Sequence, residues 1–249
     1  MNYVMNGKKL GVLAGMGPAA GAEFLRLLTI KAPACADQEH PVVYMISDTQ
    51  IPDRSPAILG RGPSPINNIR NGFEQLIGMG ADILACPCNS AHYFIDLFEQ
   101  PLDKPLVHII EETVLAAKAA SPNGAWMIST LGTRQSGLYQ KYADKHNYRL
   151  FIPSDAQAQL SQDCIVHIKA NEFDKAAKVM ENLVGQLWAE HDTLIMTACT
   201  ELPLAYAVSS LPKDKEVSSL GALADACLKQ LFVPTKFKEA LENRNLPYC

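Results

Sequence analysis

The chain alternates between short apolar runs and segments in which apolar residues return every three or four positions. Eight runs read as strands: Lys9–Ala14, Val42–Ser47, Asp82–Cys86, Leu106–Ile109, Ala125–Thr130, Arg149–Ile152, Thr193–Thr197 and Glu216–Ser219. Most are continuous rather than alternating, the pattern of parallel strands covered on both faces. Between them lie helix-period segments. After Pro18, a residue suited to a first helical turn, Ala20, Phe24, Leu27 and Leu28 share one face. Across 172–190 the same holds for Phe173, Ala176, Ala177, Met180, Leu183, Val184 and Leu187. Strand–helix alternation predicts an α/β fold with parallel sheets and right-handed crossovers.

A repeat decides how the strands are grouped. "DILACPCNSAH", from Asp82 to His92, and "DTLIMTACTEL", from Asp192 to Leu202, each begin at an aspartate, run through an apolar strand and reach a cysteine. Cys88 and Cys199 stand 111 positions apart, and the turn Ala14-Gly15-Met16-Gly17 has a counterpart 115 positions on in Ser129-Thr130-Leu131-Gly132. Eight strands also fit a closed barrel, but the repeat has a period of half the chain. Two similar, pseudo-symmetric four-stranded halves are therefore expected, each flanked by helices, with a cleft between them. Thiols brought to one cleft from two sides suit removal of a proton from one face of a carbon and its return to the other.

Composition excludes several alternatives. A length of 249 residues allows one large or two smaller domains. The formal net charge of -4, without a Lys/Arg cluster, gives no pull toward nucleic acid or an anionic membrane. Lys8-Lys9 followed by an apolar run has the outline of a secretory leader, but the Gly-Met-Gly-Pro that interrupts it favours a buried first strand. No apolar run approaches the ~18–20 residues that span a bilayer. Seven cysteines, an odd number without framework spacing, point to reduced thiols in the cytoplasm.

In open parallel sheets, ligands bind beyond the carboxyl ends of strands, where both repeat cysteines fall. Asn89 and Ser90 suit the N-cap of a following helix, and Thr200 repeats this after Cys199. A helix N-terminus lowers a thiol's pKa and holds a ligand carboxylate, so both effects are expected here. Cys86 reads as core, and Cys35, Cys164, Cys227 and Cys249 as packing or surface residues. His92 either tunes the Cys88 thiolate or steadies the helix start. Arg54, in "DTQIPDRSP", is a fork for a carboxylate or a solvated loop residue, and Lys169 is equally open. Cys86, Cys88 and His92 lack a second cluster to complete a metal site, so no metal is expected. The "GMGP" loop is too short for a dinucleotide fingerprint, and there is no P-loop.

Taken together, "GVLAGMGP", "SDTQIPDRS", "CPCNSAH", "STLGT", "YQKY", "IKANEFDKA" and "TACTELP" resemble, in order and spacing, the cofactor-independent aspartate/glutamate racemases, and most closely aspartate racemases. The resemblance runs from about Lys9 to Phe232. It implies a homodimer, no cofactor, an acidic amino acid as substrate, and an active site between two α/β domains. It also implies that the chain crosses between them near 105 and returns near 211, giving 1–104 plus 212–249 as the first domain and 105–211 as the second. By position, Cys88 and Cys199 match the catalytic thiols. Met16, Asn89, Ser90, Thr130 and Thr200 fall in the substrate-binding set, the last four around the α-carboxylate and amino group. Arg54 and Lys169 sit where aspartate-preferring members bind the side-chain carboxylate, so L-aspartate to D-aspartate is expected ahead of glutamate. One departure is Val217-Ser218-Ser219, where Ser218 replaces an acid the family often carries. Ser55 and Ser90, where threonine is usual, keep the hydroxyl.

The implied mechanism has a thiolate remove the α-proton while the other thiol protonates the opposite face, with the enediolate held by hydroxyl and N–H donors. Other readings stay open: a glutamate or broad-specificity amino-acid racemase, a maleate isomerase or arylmalonate decarboxylase type on the same scaffold, and a non-catalytic amino-acid-binding paralogue.

Overall fold

The computed structural model describes residues 3–235; Cys249 and the last residues assigned to the first domain lie outside them. In chain order the strands are β1 (Tyr3–Met5), β2 (Leu10–Ala14), β3 (Val43–Ser47), β4 (Ile83–Ala85), β5 (Leu106–Val107), β6 (Ala125–Ile128), β7 (Leu150–Phe151), β8 (Leu194–Thr197), β9 (Glu216–Ser218) and β10 (Phe232–Pro234). The helices are α1 (Pro18–Lys31), α2 (Arg54–Ile58), α3 (Ile66–Gly78), α4 (Ala91–Ile95), α5 (Ile109–Ala120), α6 (Leu131–Ser136), α7 (Leu138–Lys145), α8 (Asp155–Lys169), α9 (Phe173–Glu190), α10 (Leu202–Val208) and α11 (Ser219–Leu231).

Two four-stranded parallel sheets are present, ordered β3-β2-β4-β5 and β7-β6-β8-β9. The topology is identical: the first strand of each half lies between the second and third. Strand order thus reverses between β2 and β4, and again between β6 and β8. The expected parallel pairing follows from strands buried on both faces. In β2, Leu10, Val12 and Ala14 join a core shared with Met127 of β6 and Met196 of β8, whereas Leu13 turns to Ile69, Phe73 and Leu76 on α3. In the second sheet Trp126, Ile128 and Ile195 pack instead on Ile165, Leu183 and Val184 of α8 and α9. Burying each such large apolar side chain contributes about 1.5–3 kcal/mol.

The sheets exchange their last elements. β5 completes the first sheet, but α5 packs on α7; β9 completes the second, but α11 packs on α1 and α5. By sheet membership the chain therefore crosses after Val107 and returns after Ser218, a few residues beyond the points near 105 and 211 that the motifs imply. Within α9, Phe173 is exposed rather than part of the buried stripe. An antiparallel ribbon of β1 and β10, unforeseen from the sequence, joins the first and last strands of the described residues. Among the described residues no helix is long and apolar enough to cross a membrane.

Candidate active site

The reversal of strand order opens a crevice at the carboxyl ends of the middle strands, the usual ligand position in such sheets. The loop after β2 carries Gly15, Met16 and Gly17; the loop after β4 carries Cys88. Thr130 follows β6 and Cys199 follows β8, in the equivalent places. Gly15 is required in its turn: its φ is +94, and a Cβ there would lie 2.4 Å from the Asp48 backbone. The halves also touch closely at Gly132, where a Cβ would lie 2.8 Å from Ser55.

All nine residues singled out from the sequence line one cavity of about 30 Å³: Met16, Arg54, Cys88, Asn89, Ser90, Thr130, Lys169, Cys199 and Thr200. Asp53, Ser55 and Glu201 line it too. Glu201 was missed. It replaces Ser90 of the first repeat copy, and an acid two residues after the cysteine, where the first copy has none, was the available signal. The Cys199 thiol donates to Glu201 Oε2 at 3.0 Å, and Thr200 Oγ1 donates to the same oxygen at 3.3 Å.

The helix-terminus expectation for the thiols needs correction. α4 and α10 are short, starting at Ala91 and Leu202; Ser90 precedes the first without a side-chain cap, and Glu201 rather than Thr200 precedes the second. Cys88 and Cys199 are each only 5% exposed. Burial pushes the Cys88 thiol up despite Arg54, which pulls it down. Burial and the Glu201 carboxylate push Cys199 well above the ordinary thiol value, with Lys169 a smaller opposing influence. Desolvation therefore outweighs the partial charge of one short helix. Each thiol nevertheless has a cation beside it, and Cys199 alone is hydrogen-bonded to a carboxylate.

Arg54 is neither a solvated loop residue nor an open fork. Nη1 donates to Ile51 O and Pro52 O at 3.2 and 3.1 Å, and Nη2 to Met16 O at 3.1 Å. Its Nε is buried and has no hydrogen-bond partner among the described residues. Burial opposes the guanidinium charge, but neighbouring Cys88 and Asp53 leave its pKa raised.

The amide and hydroxyls knit the halves together. Asn89 accepts from Tyr139 Oη at 2.6 Å and donates to Ser219 Oγ at 3.0 Å, so much of its side chain is already engaged. Ser90 Oγ lies 2.8 Å from Thr133 Oγ1 and 3.3 Å from Thr130 Oγ1. His92 steadies the backbone rather than the thiol. Its Nδ1 faces Cys88 O at 2.9 Å while Nε2 accepts from Ile109 N–H at 3.4 Å. Burial lowers its pKa to about 3, so the ring is neutral. Ser218 caps α11 by accepting from Gly221 N–H at 3.1 Å, and it lines a neighbouring cavity instead of the thiol cavity.

Comparison with known proteins agrees with this fold. A family model described as Asp/Glu/Hydantoin racemase matches residues 13–226. The broad specificity amino-acid racemase RacX of Bacillus subtilis is 29% identical over 206 residues, covering 78% of this chain and 85% of that one. Among solved structures, the aspartate racemase of Picrophilus torridus superimposes with a TM-score of 0.78 at 29% identity, covering 90% of this chain and 94% of that chain. A glutamate racemase from Campylobacter jejuni shares the fold at 20% identity, with a TM-score of 0.63 over 89% of this chain and 85% of that one. Since the matched stretch takes in both sheets and both cysteine loops, the chain belongs to the Asp/Glu/hydantoin racemase family.

Proposed function

We propose that this protein interconverts the enantiomers of an acidic amino acid, L-aspartate with D-aspartate first, by two-base chemistry at Cys88 and Cys199 without a cofactor. The observation that carries this is the pairing of two thiols from equivalent loops of the two halves, each with its own cation, in one cavity. Cys199, donating to Glu201, holds its proton the more firmly; Cys88, whose burial Arg54 partly offsets, gives up its proton more readily and acts as the base. The base removes the α-proton, Cys199 protonates the other face, and the roles reverse for the other enantiomer. Enediolate charge falls to the hydroxyls of Ser90, Thr130 and Thr200, Asn89 and loop N–H groups. Arg54 Nε and Lys169 receive the side-chain carboxylate, and Met16 packs against the substrate. In this closed arrangement about 30 Å³ is room for about two waters, at the ~10–15 Å³ each needs. The halves must therefore part for an amino acid to enter. The cytoplasm and a homodimer complete the proposal, with 1–104 plus 212–249 and 105–211 as its domains, each lending one edge strand, β5 or β9, to the other's sheet.

A broader specificity is the second reading. It is supported by the equal similarity to the broad-specificity racemase, and by the engagement of both terminal Arg54 nitrogens with backbone carbonyls, which takes three of the five guanidinium N–H groups and so weakens the fork for a side-chain carboxylate. A panel of enantiopure amino acids, incubated without added cofactor and resolved by chiral chromatography, separates the two. Aspartate turning over well ahead of glutamate and neutral amino acids is the expected outcome. Comparable turnover of neutral substrates establishes the broader reading. Absence of any enantiomer, with loss of carbon dioxide from an arylmalonate run alongside, overturns both.

A further inference from the structure

Cys86 sits two residues before Cys88 and takes no part in the racemisation scheme. Its side chain has no exposure, whereas Cys88 reaches the cavity. The Cys88 N–H donates to Cys86 O at 2.8 Å, a γ-type turn around Pro87. Two residues span at most about 7 Å. The turn shortens that span toward the roughly 4.4–6.8 Å Cα separation that disulfides use. Both side chains pack in the same apolar cluster. Burial raises the Cys86 thiol, Cys88 adds to this, and Arg54 and the Cys88 N–H oppose it.

We infer that Cys86 and Cys88 form a reversible redox pair, in which Cys86 resolves oxidised Cys88 into an intraloop disulfide that switches the site off and shields it from irreversible oxidation. Access fixes the order, because an oxidant entering the cavity meets Cys88 first. The Cys88 thiolate attacks one oxygen of a hydroperoxide, the O–O bond breaks, and sulfur is oxidised to sulfenic acid as the peroxide is reduced to hydroxide. The Cys86 sulfur then attacks the Cys88 sulfur. An S–S bond forms, the S–O bond breaks, and the oxygen leaves as water with the proton of the Cys86 thiol. A dithiol reductant reverses the change.

The full chain, treated with hydrogen peroxide and then with or without dithiothreitol, is digested with trypsin for mass measurement and assayed in parallel. Cys86 and Cys88 are the only cysteines between Arg70 and Lys118, the bounds of their tryptic peptide because Pro105 protects Lys104, so their disulfide reads as a loss of about 2 Da within one peptide. That loss, with most activity returned by dithiothreitol, is expected for the parent. In Cys86→Ser, whose untreated activity matches the parent, the same dose adds about 32 Da at Cys88 as sulfinic acid, and dithiothreitol restores little. A cross-link between Cys88 and Cys199, or equal recovery of Cys86→Ser and parent, overturns the inference. The activity readout rests on the racemase proposal, which untreated parent tests; the mass readout stands without it.

Discussion

Cys88→Ala and Cys199→Ala are each expected to lose racemisation by roughly 10²–10⁴-fold, the usual worth of a positioned acid or base. In a two-base site either loss is sufficient, because one thiol cannot serve both faces of the α-carbon. The two variants should still fold, since each removes one small buried sulfur and no backbone contact. Cys86→Ala provides the control: equally buried and two residues away, it should leave turnover close to the parent's. Rates measured from both enantiomers, with melting temperatures alongside, decide the matter. Near-normal turnover in either catalytic variant contradicts the role given to that thiol.

The second large effect is expected at Arg54. Losing a hydrogen bond to a charged group costs roughly 1.5–3 kcal/mol, so Arg54→Ala should raise KM for aspartate about ten- to a hundredfold. Because Arg54 also sits beside Cys88, kcat should fall as well. Removing the side chain frees Met16 O, Ile51 O and Pro52 O, so melting temperature must be followed in the same variant. A neutral amino acid distinguishes recognition from general damage: its KM should barely change. If aspartate binds Arg54→Ala as tightly as it binds the parent, the side-chain carboxylate is held elsewhere.

Much of the architecture was legible because both sheets are buried on two faces, which writes each middle strand as an unbroken apolar run. All eight sheet strands were located, but several were drawn too long. Cys86, Ser129 and Thr130 are buried although they lie past the ends of their strands, because the loops beyond β4 and β6 fold into the cleft. Buried loop and buried strand look alike in composition. The β1–β10 ribbon had no such pattern: its strands are three residues long and mostly exposed. The two cysteine loops were legible through their repetition. Tyr139 was not, because its partner Asn89 lies 50 positions away and meets it only in the folded chain; Glu201, two residues from Cys199, was visible but has no acidic counterpart in the first copy of the repeat. The same limit applied to the thiols' protonation, since a sequence displays a helix start but not how deeply it is buried.

The central claim is that the group removing the α-hydrogen is not the group replacing it. Incubation of one pure enantiomer in heavy water tests this directly, with label at Cα followed in product and in unreacted substrate from the first turnovers. Two opposed thiols, with the donor equilibrated with solvent, predict product that is almost fully labelled while remaining substrate gains label far more slowly. Product that retains a substantial share of the original hydrogen would mean one group acts on both faces, and would contradict the pairing of Cys88 with Cys199.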